Sequence, residues 1–111
     1  MLNVTEGRAH DEAVVVLDGE IDLAVAPGML ERLLASPLFS ARRVVVDLDR
    51  VTFIDLSGIG LLAALRKRAL RDPDGEFTAI NPHGIVATAL DLCGMGNLVG
   101  SDANSGRTGL H

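Results

Sequence analysis

The run Arg43-Val44-Val45-Val46-Asp47-Leu48 places the tightest constraint on how this chain folds. Consecutive β-branched residues favour a strand. A continuous apolar run, without polar alternation, is the pattern of a strand covered on both faces. Residues 13–18 (AVVVLD) give a second strand, and residues 3–9 pair with it as a hairpin through His10-Asp11-Glu12. A fourth strand is expected at Glu76-Phe77-Thr78-Ala79-Ile80.

Helical spacing separates these strands. Pro27 stands where a first helical residue would, Leu30, Leu33 and Leu34 follow at helical intervals, and Ser36-Pro37 stops the helix. Gly19-Glu20-Ile21-Asp22 reads as the loop before it. After Leu48, a turn at Asp49-Arg50 leads to Val51–Asp55. A helix then begins near Ser57, with Leu61, Leu62, Leu65 and Ala69 as its buried stripe. Asp72-Pro73-Asp74-Gly75 is a turn. Asn81-Pro82 reads as the cap and first turn of a third helix carrying Ile85, Ala89 and Leu92, with Gly94 as its C′ residue. Leu98-Val99 reads as the stub of a last strand. Alternating strands and helices predict an α/β domain: a mixed sheet with an N-terminal hairpin and helices packed on it. Residues 1–100 form the domain. Residues 101–111 are small and polar, and are expected to be a disordered tail.

Composition narrows the function. A length of 111 residues fits one domain. The net charge of −5 lacks the basic balance of a nucleic-acid binder. The basic cluster Arg66, Lys67, Arg68 and Arg71 fits a helix C-terminus, where cations suit the dipole. One cysteine, Cys93, allows neither an internal disulfide nor a cysteine metal site, and reads as buried filler. His10, His83 and His111 have no ligand spacing, so neither metal nor cofactor is expected. No signal peptide and no membrane span is visible, which makes a cytoplasmic location the expectation.

Chemistry concentrates at Asp55-Leu56-Ser57-Gly58-Ile59-Gly60, between a strand and a helix. Ser57 is placed as the helix N-cap, which would by itself account for a serine here. Gly58 and Gly60 leave no bulky side chain over the hydroxyl. A phosphate on Ser57 would meet free N–H groups at the positive end of the helix dipole. Asp55, and Asp22 if the loops converge, would crowd it with like charge.

The segments Gly19-Glu20-Ile21-Asp22, Val44–Leu48, Phe53-Ile54-Asp55 and Ser57-Gly58-Ile59-Gly60, with Asn81-Pro82, together resemble the STAS-domain anti-sigma factor antagonists over residues 4–99. The resemblance implies a non-enzymatic switch. The unphosphorylated antagonist binds an anti-sigma factor that is also a serine kinase, which frees the sigma factor. Phosphorylation of the serine before the first glycine, here Ser57, ends binding, and a PP2C-type phosphatase resets it. The partner surface would comprise Asp22, Asp55, Leu56, Ser57, Gly58, Ile59 and Gly60. Leu56 stands where the family often has a second hydroxyl residue. The tail shows no pattern for the family's last amphipathic helix.

Other readings compete. Gly58-Ile59-Gly60-Leu61-Leu62-Ala63 matches G-x-G-x-x-A with Glu76 downstream, but the chain is too short for a dinucleotide-binding enzyme with a substrate site. Asp47 could end a strand as a phospho-acceptor, but the sole lysine, Lys67, lies in mid-helix and the chain starts with a hairpin. Asp47 and Asp49 more simply punctuate a strand end. A STAS module that binds a ligand or partner without phosphorylation keeps the fold and changes the role.

Overall fold

The computed structural model describes residues 2–100. Strands β1 (Leu2–Ala9) and β2 (Glu12–Ile21) precede helix α1 (Ala26–Ala35) and a 3₁₀ turn (Pro37–Ser40). Then follow β3 (Arg43–Ile54), α2 (Leu56–Ala69), β4 (Glu76–Ile80), α3 (Gly84–Leu92) and a 3₁₀ turn (Gly96–Leu98). The tail predicted to be disordered lies outside the described residues.

The sheet has the order β1-β2-β3-β4. β1 and β2 form the expected hairpin, paired from Leu2↔Gly19 to Ala9↔Glu12. His10 closes it in a left-handed backbone conformation (φ 54°). β2, β3 and β4 run parallel, so the sheet is mixed as predicted. Right-handed crossovers between strands laid down in one direction put successive helices on one face. There α1 and α2 pack together. Ala13, Val15 and Leu17 of β2 alternate inward with Val44, Val46 and Leu48 of β3. They share one core with Leu33 of α1, Leu61, Leu62, Leu65 and Ala69 of α2, and Val86 and Leu90 of α3. Val45 points the other way and is buried too, which agrees with the unbroken valine run.

The expected turn at Asp49-Arg50 is not a turn. β3 continues to Ile54 through two irregularities in its pairing with β2. From Val16↔Asp47 to Ile21↔Ile54, β2 advances five residues and β3 seven. Each bulge adds one residue to β3. Leu48, Val51 and Ile54 therefore all face the core although they are three apart. The Asp47 carboxylate supports the first bulge: Oδ1 accepts from Asp49 N–H (3.0 Å) and from Asn81 Nδ2 (3.2 Å). Asp47 and Asp49 thus bend a strand rather than end it. For the same reason Gly19-Glu20-Ile21 is strand, not loop, with Gly19 at φ 124° opposite Val51.

Other boundaries also differ. Asn81-Pro82 does not start α3. Asn81 takes a left-handed backbone (φ 60°), and His83 holds the cap position without a side-chain cap bond. The His83 ring is instead 2.6 Å from the Asp49 carbonyl. Gly94 is the C′ residue as expected (φ 73°). Met95 N–H reaches the Leu90 carbonyl and Gly94 N–H that of Asp91, the paired bonds of a Schellman motif. Cys93 is exposed, not buried, as are Asp91 and Leu92 before it. Leu34 is 40% exposed, and Met29 takes its place in the core. The predicted last strand shrinks to a single bridge, Ala79↔Val99. No helix among the described residues is long and apolar enough to cross a membrane.

The sheet end remote from the β3–α2 junction is tied by charge. Arg42 Nη1 lies 2.6 Å from Glu76 Oε2, and Arg43 Nε 3.0 Å from Glu76 Oε1. The Arg42 hydrogen bond lowers the Glu76 pKa below its ordinary 4.5, with Arg43 assisting. A depressed carboxyl pKa contributes stability that is present above the unfolded value and lost as pH falls through the folded one. Denaturant midpoints measured from about pH 7 down to about pH 3 will therefore fall less in Glu76→Gln than in the parent. The difference will be small, since the partners are half exposed.

Candidate functional site

The site lies where β2 and β3 deliver their chains into α1 and α2. Its centre is Asp55, the N-cap of α2, in extended backbone (φ −111°, ψ −171°). One oxygen, Oδ1, accepts from Ser57 N–H (2.9 Å) and Gly58 N–H (3.1 Å). The other, Oδ2, accepts from Leu23 N–H (3.1 Å) in the β2–α1 loop. Asp55 N–H donates to the Ile21 carbonyl (3.2 Å). One carboxylate thus caps a helix and fastens the neighbouring loop to it. The loop that carries Asp22 and the start of α2 that carries Ser57 do converge.

Asp22 shapes its own loop. Its Oδ1 accepts from Ala24 N–H (3.1 Å), and its carbonyl accepts from Val25 and Ala26 N–H. This Asx turn feeds the chain into α1 and leaves Asp22 half-buried beside the site.

Ser57 is the second residue of α2, not its N-cap. Asp55 takes the cap because its carboxylate reaches both the second and third N–H groups of the helix. The half-buried Ser57 hydroxyl is left without a hydrogen bond among the described residues. This corrects a second expectation. The N–H groups that would cradle a phosphate are already committed to Asp55, and Leu56 N–H alone has no partner among the described residues. A phosphate on Ser57 would face a carboxylate rather than an open ring of donors.

The two glycines act differently. A Cβ on Gly58 would lie 2.5 Å from Ile54 Cγ1 and 2.7 Å from the Ile21 carbonyl oxygen, so Gly58 is there for close packing. A Cβ on Gly60 would meet nothing within 4 Å, so this is the glycine that opens the surface. Ile59 is buried in the core and holds the turn from behind. Leu56 is 77% exposed and Leu23 69%, which gives an apolar rim on either side of Asp55. Beside Ser57 runs an apolar groove of about 220 Å³, lined by Ala26, Pro27 and Leu30 of α1 and by Gly60 and Leu61 of α2. Sequence reasoning did not select Leu23 or the groove. Leu23 carried a signal, being a large apolar residue in a loop otherwise set by Asp22. The groove carried none, because it exists only once α1 and α2 are side by side.

Residues 4–107 match the model of the STAS domain family, and the chain belongs to that family. No curated protein sequence matches it. Several solved structures share the fold. An anti-sigma factor antagonist from Mycobacterium paratuberculosis superposes with a TM-score of 0.80 at 22% identity, over 97% of this chain and 92% of that one. The anti-sigma factor antagonist SpoIIAA in its unphosphorylated form gives 0.74 at 18%, over 95% and 90%. The same protein, a Bacillus cell fate determinant, gives 0.67 at 18% in its phosphorylated form, over 95% and 94%. SLC26A9 gives 0.70 at 16%, over 88% of this chain and 19% of that one.

Proposed function

We propose that this STAS domain is an anti-sigma factor antagonist switched by phosphorylation of Ser57. The observation that carries the reading is the setting of that hydroxyl. It is unengaged, sits in the first turn of α2, and lies between two exposed leucines, an apolar groove and two carboxylates. An apolar rim around a reachable hydroxyl is what a protein partner needs. The structural neighbours described as anti-sigma factor antagonists, one of them in both phosphorylation states, favour the same reading.

The unphosphorylated chain binds an anti-sigma factor serine kinase through Asp22, Leu23, Leu56, Ser57 and the groove, and so releases a sigma factor. The kinase transfers the γ-phosphoryl group of ATP to Ser57 Oγ, and the hydroxyl proton leaves. The product carries about 1.5 to 2 added negative charges next to Asp55 and Asp22. Buried in a fitted interface, that charge opposes binding, while the domain itself stays folded. A PP2C-type phosphatase removes the phosphate. The chain is ligand and substrate rather than enzyme, acts in the bacterial cytoplasm, and touches neither nucleic acid nor membrane.

The test is to incubate the purified chain with each candidate anti-sigma kinase of its own genome and ATP. Any phosphate is mapped by mass spectrometry, with Ser57→Ala as control. Phosphate is expected on Ser57 and absent from the control, and Ser57→Asp is expected to weaken kinase binding about ten-fold or more. Failure of every kinase to modify Ser57, with binding unchanged in Ser57→Asp, would overturn the switch. It would leave a constitutive STAS partner module.

A further inference from the structure

The groove beside Ser57 is one of two hollows along the α1–α2 seam. On α2 the row Ser57, Gly60, Ala64 and Lys67 recurs at the three- and four-residue intervals of one helix face, and Arg71 follows just past the helix end. On α1, Leu30 is followed one turn later by Leu34. A second hollow of about 370 Å³, which shares no lining residue with the first, is lined by Leu34, Ala64, Lys67, Arg68 and Arg71. Both hollows lie on the seam between α1 and α2, the α1–α2 channel. Its floor is apolar at the Ser57 end and cationic at the other. Ser57 and Lys67 are about 15 Å apart along the helix axis.

The cations at the far end are unusual in this chain. The protein carries a net charge of −5, yet four of its ten basic side chains fall within residues 66–71. None of these four makes an ion pair among the described residues, as is also true of Arg8 and Arg32, whereas Arg42, Arg43 and Arg50 do. Placement in the last turn of α2 accounts for Arg66, Lys67 and Arg68. It does not account for Arg71, beyond the last helical residue Ala69, or for a hollow between three of them. Arg68 is held in place, its guanidinium 5.1 Å from the centroid of the Phe39 ring. Lys67 and Arg71 are exposed.

We propose that the α1–α2 channel docks a helical segment of the partner protein that is apolar where it approaches Ser57 and acidic about two to three turns away, where it meets Lys67, Arg68 and Arg71. The proposal rests on the reading of the Ser57 end as a partner site and adds the partner's chemistry and direction. A protein segment fits better than a nucleic acid. The channel is half apolar, the chain as a whole is acidic, and the cations form a short cluster rather than a stripe. Ionic contacts at the far end would speed encounter and set the register that brings the partner's kinase domain to Ser57.

The test uses the full chain and the same panel of anti-sigma kinases. Kinase affinity is measured for the parent, for Lys67→Glu/Arg71→Glu, and for Arg50→Glu as a charge control outside the channel. Circular dichroism and denaturant midpoints confirm that the variants are folded. The double variant is expected to bind about ten-fold more weakly at about 0.05 M salt, with most of the difference gone at about 0.5 M. Arg50→Glu should leave affinity within about two-fold. Ser57→Asp should weaken binding at both salt concentrations. Unchanged affinity in the double variant overturns the channel proposal and leaves the Ser57 switch standing. If no kinase binds the parent, the switch reading fails and a second arm decides the channel. There, an amphipathic helical peptide with an acidic C-terminal half is titrated into the isotopically labelled chain. Amide shifts confined to the α1–α2 seam and lost in the double variant support the proposal. Absence of such shifts, or displacement of the peptide by a duplex oligonucleotide or by phosphatidylglycerol vesicles at lower concentration, overturns it.

Discussion

Replacing Gly58 with alanine will destabilise the domain by about 3 kcal/mol. In a domain of this size that is a fall in melting temperature of about 10–20 °C. The reason is steric. The added methyl carbon would stand 2.5 Å from Ile54 Cγ1, 2.7 Å from the Ile21 carbonyl oxygen and 2.9 Å from Ile21 Cγ2. One of these neighbours is backbone in a parallel strand pair, so it cannot rotate away. The helix must tilt off the sheet or the β2–β3 ladder must shift. Gly60→Ala is the matched control, since its methyl group meets nothing within 4 Å. Alanine is the better helix former, so Gly60→Ala should raise stability by up to about 1 kcal/mol. Equal behaviour of the two variants in thermal unfolding would refute the packing account of Gly58.

Asp55→Ala is expected to destabilise the domain by about 2–3 kcal/mol. It removes the acceptor for two helix N–H groups and for the Leu23 N–H together. Asp55→Asn separates the two roles. It keeps an oxygen toward Ser57 and Gly58 but turns an amide toward Leu23 N–H, so donor would face donor. The expected loss is about 1 kcal/mol. Hydrogen exchange distinguishes these outcomes amide by amide. Asparagine should release Leu23 alone, and alanine should release Leu23, Ser57 and Gly58. Retained protection of Leu23 in Asp55→Asn would show that the loop is held by something other than this carboxylate.

The valine runs at residues 13–18 and 43–48 and the leucine spacing of α2 made the strands and main helices legible from sequence. Each is a strong periodic pattern with turn residues beside it. What escaped was register. Asp49-Arg50 has the composition of a turn, and only pairing against β2 shows that those residues are surplus within a strand. The site was legible as a segment but not as a mechanism. Asp55 and Ser57 are both good cap residues two positions apart. Asp55 takes the cap by reaching the Ser57 and Gly58 N–H groups, and its other oxygen binds the Leu23 N–H, which arrives from a loop more than thirty positions earlier. Exposure of Cys93 and Leu34 likewise depends on how a helix ends or rotates against its neighbour, which periodicity alone does not set.

The two bulges of β3 give the segment between Leu48 and Asp55 an inheritance of its own. Because β2 alternates strictly while β3 carries two spare residues, the count of residues here, rather than their identity, fixes where α2 begins. Asp49, Arg50 and Thr52 are exposed and can drift in type. Loss or gain of a single residue among them would rotate everything downstream by one side of the pleat. Asp55 would then part from Leu23, and the serine would be carried to the opposite face of the sheet. Homologues that keep this site should therefore vary freely in type at the three exposed positions and scarcely at all in the length of the segment.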